Sequence, residues 1–399
     1  MSQFVEVTRQ GLGSRTKNSM GGAVFGFVLV ALGTILLFWN EGRAVKRYKD
    51  LKEGAGAVVV ADSAKVDPAM DGKLVHMTGA AEVSGELTDK DFGISETAIR
   101  LNRSVEMYQW VENVSTEEDT KVGGSTETTK TYSYSKEWRP NLVSSSSFKV
   151  TDGHQNPSEM PYQSATWVSD QVTFGAFQLP EFLVKKIGGS QPLEITSKQS
   201  LPASLGDRTI LSEGGFYIGE SPSAPAVGDL RVSYSIVRPG PVSLVAQQNG
   251  SSFVTYRTKT GGTVDLLERG TLPADQMFQL AQDRNKAMTW AIRVGGFFML
   301  GFGFSMILKP LAVFASVLPF LGRIAETGTS IVAFLLAGVV WSITVAIAWI
   351  FYRPILGIAI LVITVVLAVL LIKRLRAGKE SPASAPPPPP LDSTPPPLT

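Results

Sequence analysis

Hydrophobic positions along this chain gather into two blocks, 21–40 and 290–372, with a long polar stretch between them. The first block, GGAVFGFVLVALGTILLFWN, carries no charge and has the ~20 residues that a helix rising ~1.5 Å per residue needs to cross ~30 Å of hydrocarbon. It ends in Phe38-Trp39-Asn40-Glu41 rather than in a small-residue cleavage site, so it reads as an uncleaved anchor and not as a signal peptide. The second block divides at its charges and prolines into 289–308, 331–352 and 355–372, which makes four spans in all. Arg353-Pro354 is a tight turn between two of them, and Trp349 and Tyr352 beside it fit an aromatic belt. Arg293 is the only charge inside a span; close to the span's start and next to Trp290, it is expected to snorkel to the interface. Between the second and third spans, 309–330 is too polar to cross. Its Leu311, Phe314, Leu318, Leu321 and Ile324 recur at helical spacing, which predicts an interfacial amphipathic helix, or else one packed on protein.

The polar middle, 41–288, has the alternation of strands. Apolar Leu230, Val232, Tyr234 and Ile236 alternate with Arg231, Ser233 and Ser235 until Pro239-Gly240-Pro241 breaks the run. Runs at 242–247 and 252–259 follow on either side of Asn249-Gly250, the pair that suits a type I′ hairpin turn, and 263–267 comes next. This half is therefore expected to be an antiparallel meander. Earlier, 105–112 and 128–138 alternate around a loop holding Gly123-Gly124, and one register pairs Glu112 with Lys130, Trp110 with Tyr132, Tyr108 with Tyr134 and Glu106 with Lys136. That register puts Trp110 in the core of an aromatic ladder. Helices are expected at 180–187 and at 273–288, the latter leading into the second span.

The fold class is thus a multi-pass α-helical membrane protein with four spans and a large β-rich, α+β, extramembrane domain. Residues 1–20 form a tail on the far side of the membrane from the domain, and 373–399 a basic and then proline-rich tail that cannot build a core. An even number of spans puts both termini on one side. Arginine and lysine nearly balance between the two sides, and the basic stretch after the last span leans toward cytoplasmic termini, with the domain in the lumen or periplasm.

Charge and composition narrow the chemistry. A net charge of +2 gives no basic patch for nucleic acid, and the absence of cysteine excludes both disulfides and a zinc site of sulfur ligands. Of the two histidines, His154 lies in the turn-like Asp152-Gly-His-Gln-Asn-Pro157 and His76 in a strand; neither has the neighbours of a general base. No nucleophile elbow, phosphate loop or zinc-protease motif occurs. No cofactor is expected. Gly22 and Gly26, in small-xxx-small spacing, mark a face where helix backbones could approach closely, within the chain or between copies.

Several words in the chain resemble the transmembrane protein 43 family, also called LUMA. They are Asn40-Glu41-Gly42-Arg43-Ala44, Gly72 to Ala80 with His76, Val105 to Glu112 with Tyr108 and Trp110, and Tyr132-Ser-Tyr with Glu137-Trp-Arg139. His154-Gln-Asn156-Pro157-Ser, Val227 to Ser233, Thr258 to Gly261 and Phe351-Tyr-Arg353-Pro354 complete them, in the family's order. The resemblance implies an N-terminal span, a large luminal domain, a C-terminal membrane cluster and cytoplasmic termini. It implies residence in the endoplasmic reticulum and inner nuclear membrane for animal members, where they self-associate and organise complexes with nuclear-envelope proteins. Bacterial members imply a cytoplasmic (inner) membrane instead, and the missing cysteines and the proline tail depart from the animal pattern. The resemblance assigns no catalytic residue. The expected function is a non-enzymatic membrane scaffold, in contact with membrane lipids, further copies of itself and protein partners but not nucleic acid. A channel or transport component is the second reading, and an enzyme acting on lipid or envelope precursors the third.

Overall fold

The computed structural model describes residues 3–121, 124–196, 201, 205, 209–315, 319–355 and 366. Three long helices, two large β-sheets and two two-stranded ribbons make up most of this part of the chain, with α1 at Leu12–Ala57, the one-turn α2 at Glu181–Val184, α3 at Ala274–Ala315 and α4 at Pro319–Tyr352. The apolar run 21–40 lies in the middle of α1, which continues as an amphipathic helix into the domain. Its buried positions Gly26, Gly33, Leu37, Asn40, Ala44, Leu51 and Gly54 recur by threes, fours and sevens, the heptad seam of helices crossing at a shallow angle. In α3, Thr289, Arg293, Gly296, Leu300 and Gly303 repeat the same spacing. The two seams meet antiparallel, and small residues let them close: a Cβ on Gly26 would stand 2.6 Å from the Gly303 carbonyl oxygen, and one on Gly296 2.6 Å from Leu37.

Three described helices are long and apolar enough to cross a membrane, within Leu12–Ala57, Ala274–Ala315 and Thr327–Tyr352. The fourth expected span, 355–372, and the tail 373–399 lie outside the described residues save for 355 and 366. The expected interfacial helix is replaced by continuation of the spans. Helix α3 runs through Lys309 and Pro310 to Ala315, and α4 begins at Pro319. Val313 is buried while Leu311 and Phe314 stay exposed, so the apolar spacing there belongs to the end of a long helix. Within residues 1–20, expected as a tail, Phe4–Gln10 is a strand paired antiparallel with Thr126–Tyr132, and α1 starts at Leu12.

The domain is built on an eight-stranded and a seven-stranded sheet. In the first, Leu230–Val237 pairs with Arg100–Met107 on one side and with Phe216–Ile218 and Gln191–Leu193 on the other. In the second, Gly240–Asn249 is central, between Leu74–Val83 and Leu266–Arg269. Both strands were legible as strands, but they are not neighbours in a meander. At Pro239-Gly240 the chain leaves one sheet for the other, because proline has no N–H to continue a ladder and Gly240 takes φ 158°. A hairpin forms at Asn249-Gly250, but not through the expected type I′ turn: Asn249 pairs with Ser252, the two central residues are Gly250 and Ser251, and of these only Gly250 takes positive φ, at 58°.

The long hairpin Arg100–Thr120 and Thr126–Arg139 has a different register from the one expected: Tyr108 faces Trp138, Trp110 faces Lys136, Glu112 faces Tyr134 and Val114 faces Tyr132. The partners move by four residues, two full pleats, so every side chain keeps its face. What decides is the turn, where Lys121 N–H donates to the Ser125 carbonyl at 2.8 Å and Gly124 N–H to the Lys121 carbonyl at 3.1 Å. The observed pairs are complementary in kind. Tyr108 and Trp138 rings lie 5.1 Å apart, the Lys136 ammonium 4.9 Å from the Trp110 ring, and Tyr134 donates to Glu112 at 2.7 Å.

Inside the eight-stranded sheet's core, Arg103 donates to Asp89 at 2.8 Å and to Asp91 at 2.8 Å, and Tyr234 donates to the same Asp89 at 2.7 Å. Burial and the Asp89 carboxylate push the Tyr234 phenol far above its ordinary value, so it stays a donor. A buried cation left with half its partners is costly. Asp89→Ala is therefore expected to destabilise the protein by ~3–5 kcal/mol, and Tyr234→Phe by ~1–2 kcal/mol, read as the shift of the denaturant midpoint. An Asp89→Ala protein that unfolds with wild type would show the network to be dispensable.

Candidate functional site

The motif residues that follow the first apolar run converge where the helices meet the domain. Asn40, Glu41 and Arg43 lie within one turn of α1, facing the first apolar turns of α3. Arg293 donates through Nε and Nη2 to the two oxygens of Glu41 at 2.6 and 2.8 Å, a two-bond fork with Glu41 1 % exposed and Arg293 7 %. Trp349 of α4 donates its indole N–H to Glu41 at 2.9 Å, and Trp341 donates to the Arg293 carbonyl at 3.0 Å. The Arg293 guanidinium also lies over two rings, 4.8 Å from Trp290 and 5.6 Å from Trp349. Arg293 thus does not snorkel out to the interface; its charge is neutralised inside the bundle.

One turn along, Asn40 donates to the Thr289 carbonyl at 3.1 Å, while Arg43 donates to Asn40 Oδ1 at 3.2 Å, Asn285 Oδ1 at 3.2 Å and Thr289 Oγ1 at 3.1 Å. Asn285 returns a bond to the Ala44 carbonyl at 3.0 Å. Gly42 has a different part. A Cβ there would sit 2.6 Å from the Tyr352 ring, so the missing side chain is what lets the end of α4 lie against α1. That contact brings Arg353 and Pro354 to the same level as Lys49 and Trp290, around one cavity. Asn40, Glu41, Gly42, Arg43, Arg353 and Pro354, far apart in sequence, are thus assembled at one place.

Deeper in the domain α1 is clamped again. Thr258 donates to Asp50 at 2.6 Å, Thr260 donates to the same oxygen, and the Lys259 N–H donates to Glu53 at 3.0 Å. Leu51 packs with Leu74, Val245, Met277 and Phe278, joining α1, α3 and the seven-stranded sheet in one core.

The remaining motif residues lie elsewhere and fasten strands. His76 Nε2 is 2.8 Å from the Leu272 carbonyl, just ahead of α3. Asn156 accepts from the Trp110 N–H at 2.7 Å and donates to the Trp110 carbonyl at 2.9 Å, imitating a neighbouring strand at that one residue. His154 stacks on Tyr134 at 4.0 Å and meets the edge of Trp110 at 4.7 Å, and Pro157 packs beside Gly228. Trp110 is half-buried against this clip and under Lys136, not a core ring. Gly26 is an α1–α3 packing position, whereas a Cβ on Gly22 would meet only Met306 at 3.7 Å.

Chemically the junction is closed. Glu41 is buried and accepts three hydrogen bonds from Arg293 and Trp349, which keeps it from solvent as a proton acceptor, and among the described residues no group of three His, Asp or Glu side chains converges to hold a metal. Sequence reading found Glu41 and Arg293 but not that they pair. The signal was partly present: Glu41 follows the end of the first apolar run and Arg293 lies near the start of the second, ends that meet when the two helices pack antiparallel.

Three substitutions test the packing. Gly26→Leu, which drives a side chain into the Gly303 backbone, is expected to lower the melting temperature in detergent sharply, while Gly22→Leu changes it by about a degree or less. Equal effects would remove Gly26 from the α1–α3 seam. Gly42→Leu is expected to free Tyr352 and expose the segment around Arg353 to protease; an unchanged digestion pattern would contradict the contact.

The sequence model of one family, Transmembrane protein 43, matches residues 107–354. Transmembrane protein 43 of Rattus norvegicus is 36% identical over 366 residues, covering 88% of this chain and 90% of that protein. The Homo sapiens protein is 33% identical over 380 residues, covering 92% and 93%, and the Drosophila melanogaster homolog 33% over 350 residues, covering 85% and 91%. No solved structure matches. With its apolar helices and β-rich region, and with relatives matching over most of its length, the chain belongs to the transmembrane protein 43 family, a family of integral membrane proteins.

Proposed function

We propose that this protein is a non-enzymatic scaffold of an internal or inner membrane, whose β-rich domain, held rigidly to the bundle, assembles protein partners and further copies of the chain. The observation that carries this reading is the Glu41–Arg293 fork: the charges within the bundle are spent on each other and on Trp349, fixing three helices to one another and to the domain. A conduction path would instead need polar groups left open along a route. Purified full-length protein in liposomes is expected to pass no more ions than protein-free vesicles, while crosslinking in native membranes yields homo-oligomers. Ion flux that scales with protein would replace the scaffold with a channel.

The domain is proposed to face the lumen or periplasm, with both termini on the cytoplasmic side. The membrane would be the endoplasmic reticulum or inner nuclear membrane in a eukaryotic cell and the cytoplasmic membrane in a bacterium. This topology competes with the pairing of Phe4–Gln10 to the hairpin tip, where Arg15 also donates to the Gly124 carbonyl. A strand bonded to the domain's sheet stays on the domain's side, and a hairpin arm carrying Glu117, Glu118, Asp119 and Lys130 cannot lie in hydrocarbon. What supports the crossing is the size of the apolar surface on α1. Val24, Phe25, Phe27, Val28, Leu32 and Ile35 are exposed on α1. Each gains ~1.5–3 kcal/mol from leaving water, against ~0.5–1.5 kcal/mol net for each strand hydrogen bond. The chain has no cysteine, so Val7→Cys with Thr129→Cys, which face each other in the pairing, reads the choice directly. In sealed native membranes no disulfide is expected, and tags at both termini stay on the side opposite a tag placed at 121–125. A disulfide forming there would hold the strand on the sheet and refute the crossing of α1.

A further inference from the structure

The cavity that opens at the junction has a volume of about 860 Å³, within the ~300–1,000 Å³ of ordinary ligand sites. Its floor is aromatic and aliphatic, formed by Trp290, Trp349, Tyr352 and Val45 at the level where the apolar runs of α1, α3 and α4 end. Its rim carries Lys49, Lys52 and Arg353, and among the described residues no carboxylate lines it. Nearby acids are already engaged: Glu41 by Arg293 and Trp349, Glu53 by the Lys259 N–H, and Asp283 by Lys286, which also reaches the cavity. Among the described residues Lys49, Lys52 and Arg353 form no ion pair.

An apolar floor with cations unpaired above it, at the depth of the headgroups, has the shape and charge of an amphiphile with an anionic head. We propose that this cavity is a binding site for an anionic phospholipid of the surrounding bilayer: the acyl chain lies over Trp290 and Trp349 while the headgroup phosphate sits among Lys49, Lys52 and Arg353. The occupant comes from the membrane because the cavity's floor is continuous with the lipid-facing surface, where Trp290 and Ile355 are exposed. The site rests on the reading that the helices lie in a bilayer, and it adds a structural lipid beneath the domain to the scaffold proposed above.

Native mass spectrometry of the full-length protein in detergent, titrated with phosphatidylglycerol and separately with phosphatidylcholine, tests it. The wild-type protein is expected to retain phosphatidylglycerol in preference to phosphatidylcholine. Lys49→Gln/Lys52→Gln/Arg353→Gln is expected to weaken phosphatidylglycerol binding on the order of tenfold to a hundredfold, since each basic residue near an anionic headgroup adds a several-fold factor. Because these are surface changes, an unaltered melting temperature shows the fold intact. Tyr48, exposed at the cavity's edge, replaced by a photoreactive phenylalanine, is expected to crosslink to lipid in native membranes. Equal retention of the two lipids, unchanged binding by the triple variant, displacement by millimolar inorganic phosphate, or crosslinking of position 48 to the chain's own segment after Ile355 would each overturn the proposal. Resistance of the protein to alkaline extraction from membranes reports separately on whether the helices are integrated, so loss of the lipid site and loss of the membrane reading are distinguishable.

Discussion

The Glu41–Arg293 pair is the interaction on which the rest of the arrangement depends. Two charges held away from water are tolerated only when their geometry is good and they are further hydrogen-bonded, and here the fork is joined by the Trp349 indole N–H on Glu41, while Trp341 ties the Arg293 backbone carbonyl to α4. A charge that must find its partner sets the register of α1 against α3 as a hydrophobic contact cannot, since leucines slide past one another at small cost and a half-paired guanidinium does not. From that register follow the close approach of Gly26 to Gly303, the fit of Leu37 beside Gly296 and the seat of Tyr352 against Gly42. Trp349 carries the constraint into α4, so the cavity at the junction is a consequence of how these helices end.

The same helices continue without interruption into the domain, and this makes the bundle and the sheets one mechanical unit. Leu51 and Asp50 of α1, with Met277 and Phe278 of α3, are as much part of the seven-stranded sheet's core as Leu74 and Val245 are. A displacement at the membrane boundary would therefore reach that sheet through packed side chains, with no flexible linker to absorb it.

How much of this could be read from the chain varied with the range of the interaction. The first three apolar runs, the alternation of Leu230–Val237, a hairpin at Asn249-Gly250 and the helix leading into the second span are local patterns, and these appear in the structure. The hairpin register was not readable, because a shift of two pleats preserves every face and only the turn at Lys121–Ser125 breaks the degeneracy. Nor was the passage between sheets at Pro239-Gly240: a proline tells where a ladder stops but not where the next strand goes. The Asp89–Arg103–Tyr234 network went unnoticed, since ordinary residues at ordinary spacing acquire meaning only when sheet pairing and a short hairpin bring them together. The junction was half visible. Asn40 to Arg43 and Phe351 to Pro354 stood out as words, and an arginine inside an apolar run asked for a partner, but pairing it with Glu41 required knowing which spans are neighbours.

A double-mutant cycle on Glu41→Gln and Arg293→Met, followed by thermal unfolding of the purified protein in detergent, tests the central claim most directly. Each single substitution leaves one buried group without its partner and is expected to cost ~3–5 kcal/mol, whereas the double variant, with no stranded charge, should cost far less than their sum. Strictly additive losses would mean that the two residues do not act on each other, and that something other than this ion pair holds the membrane helices in register beneath the domain.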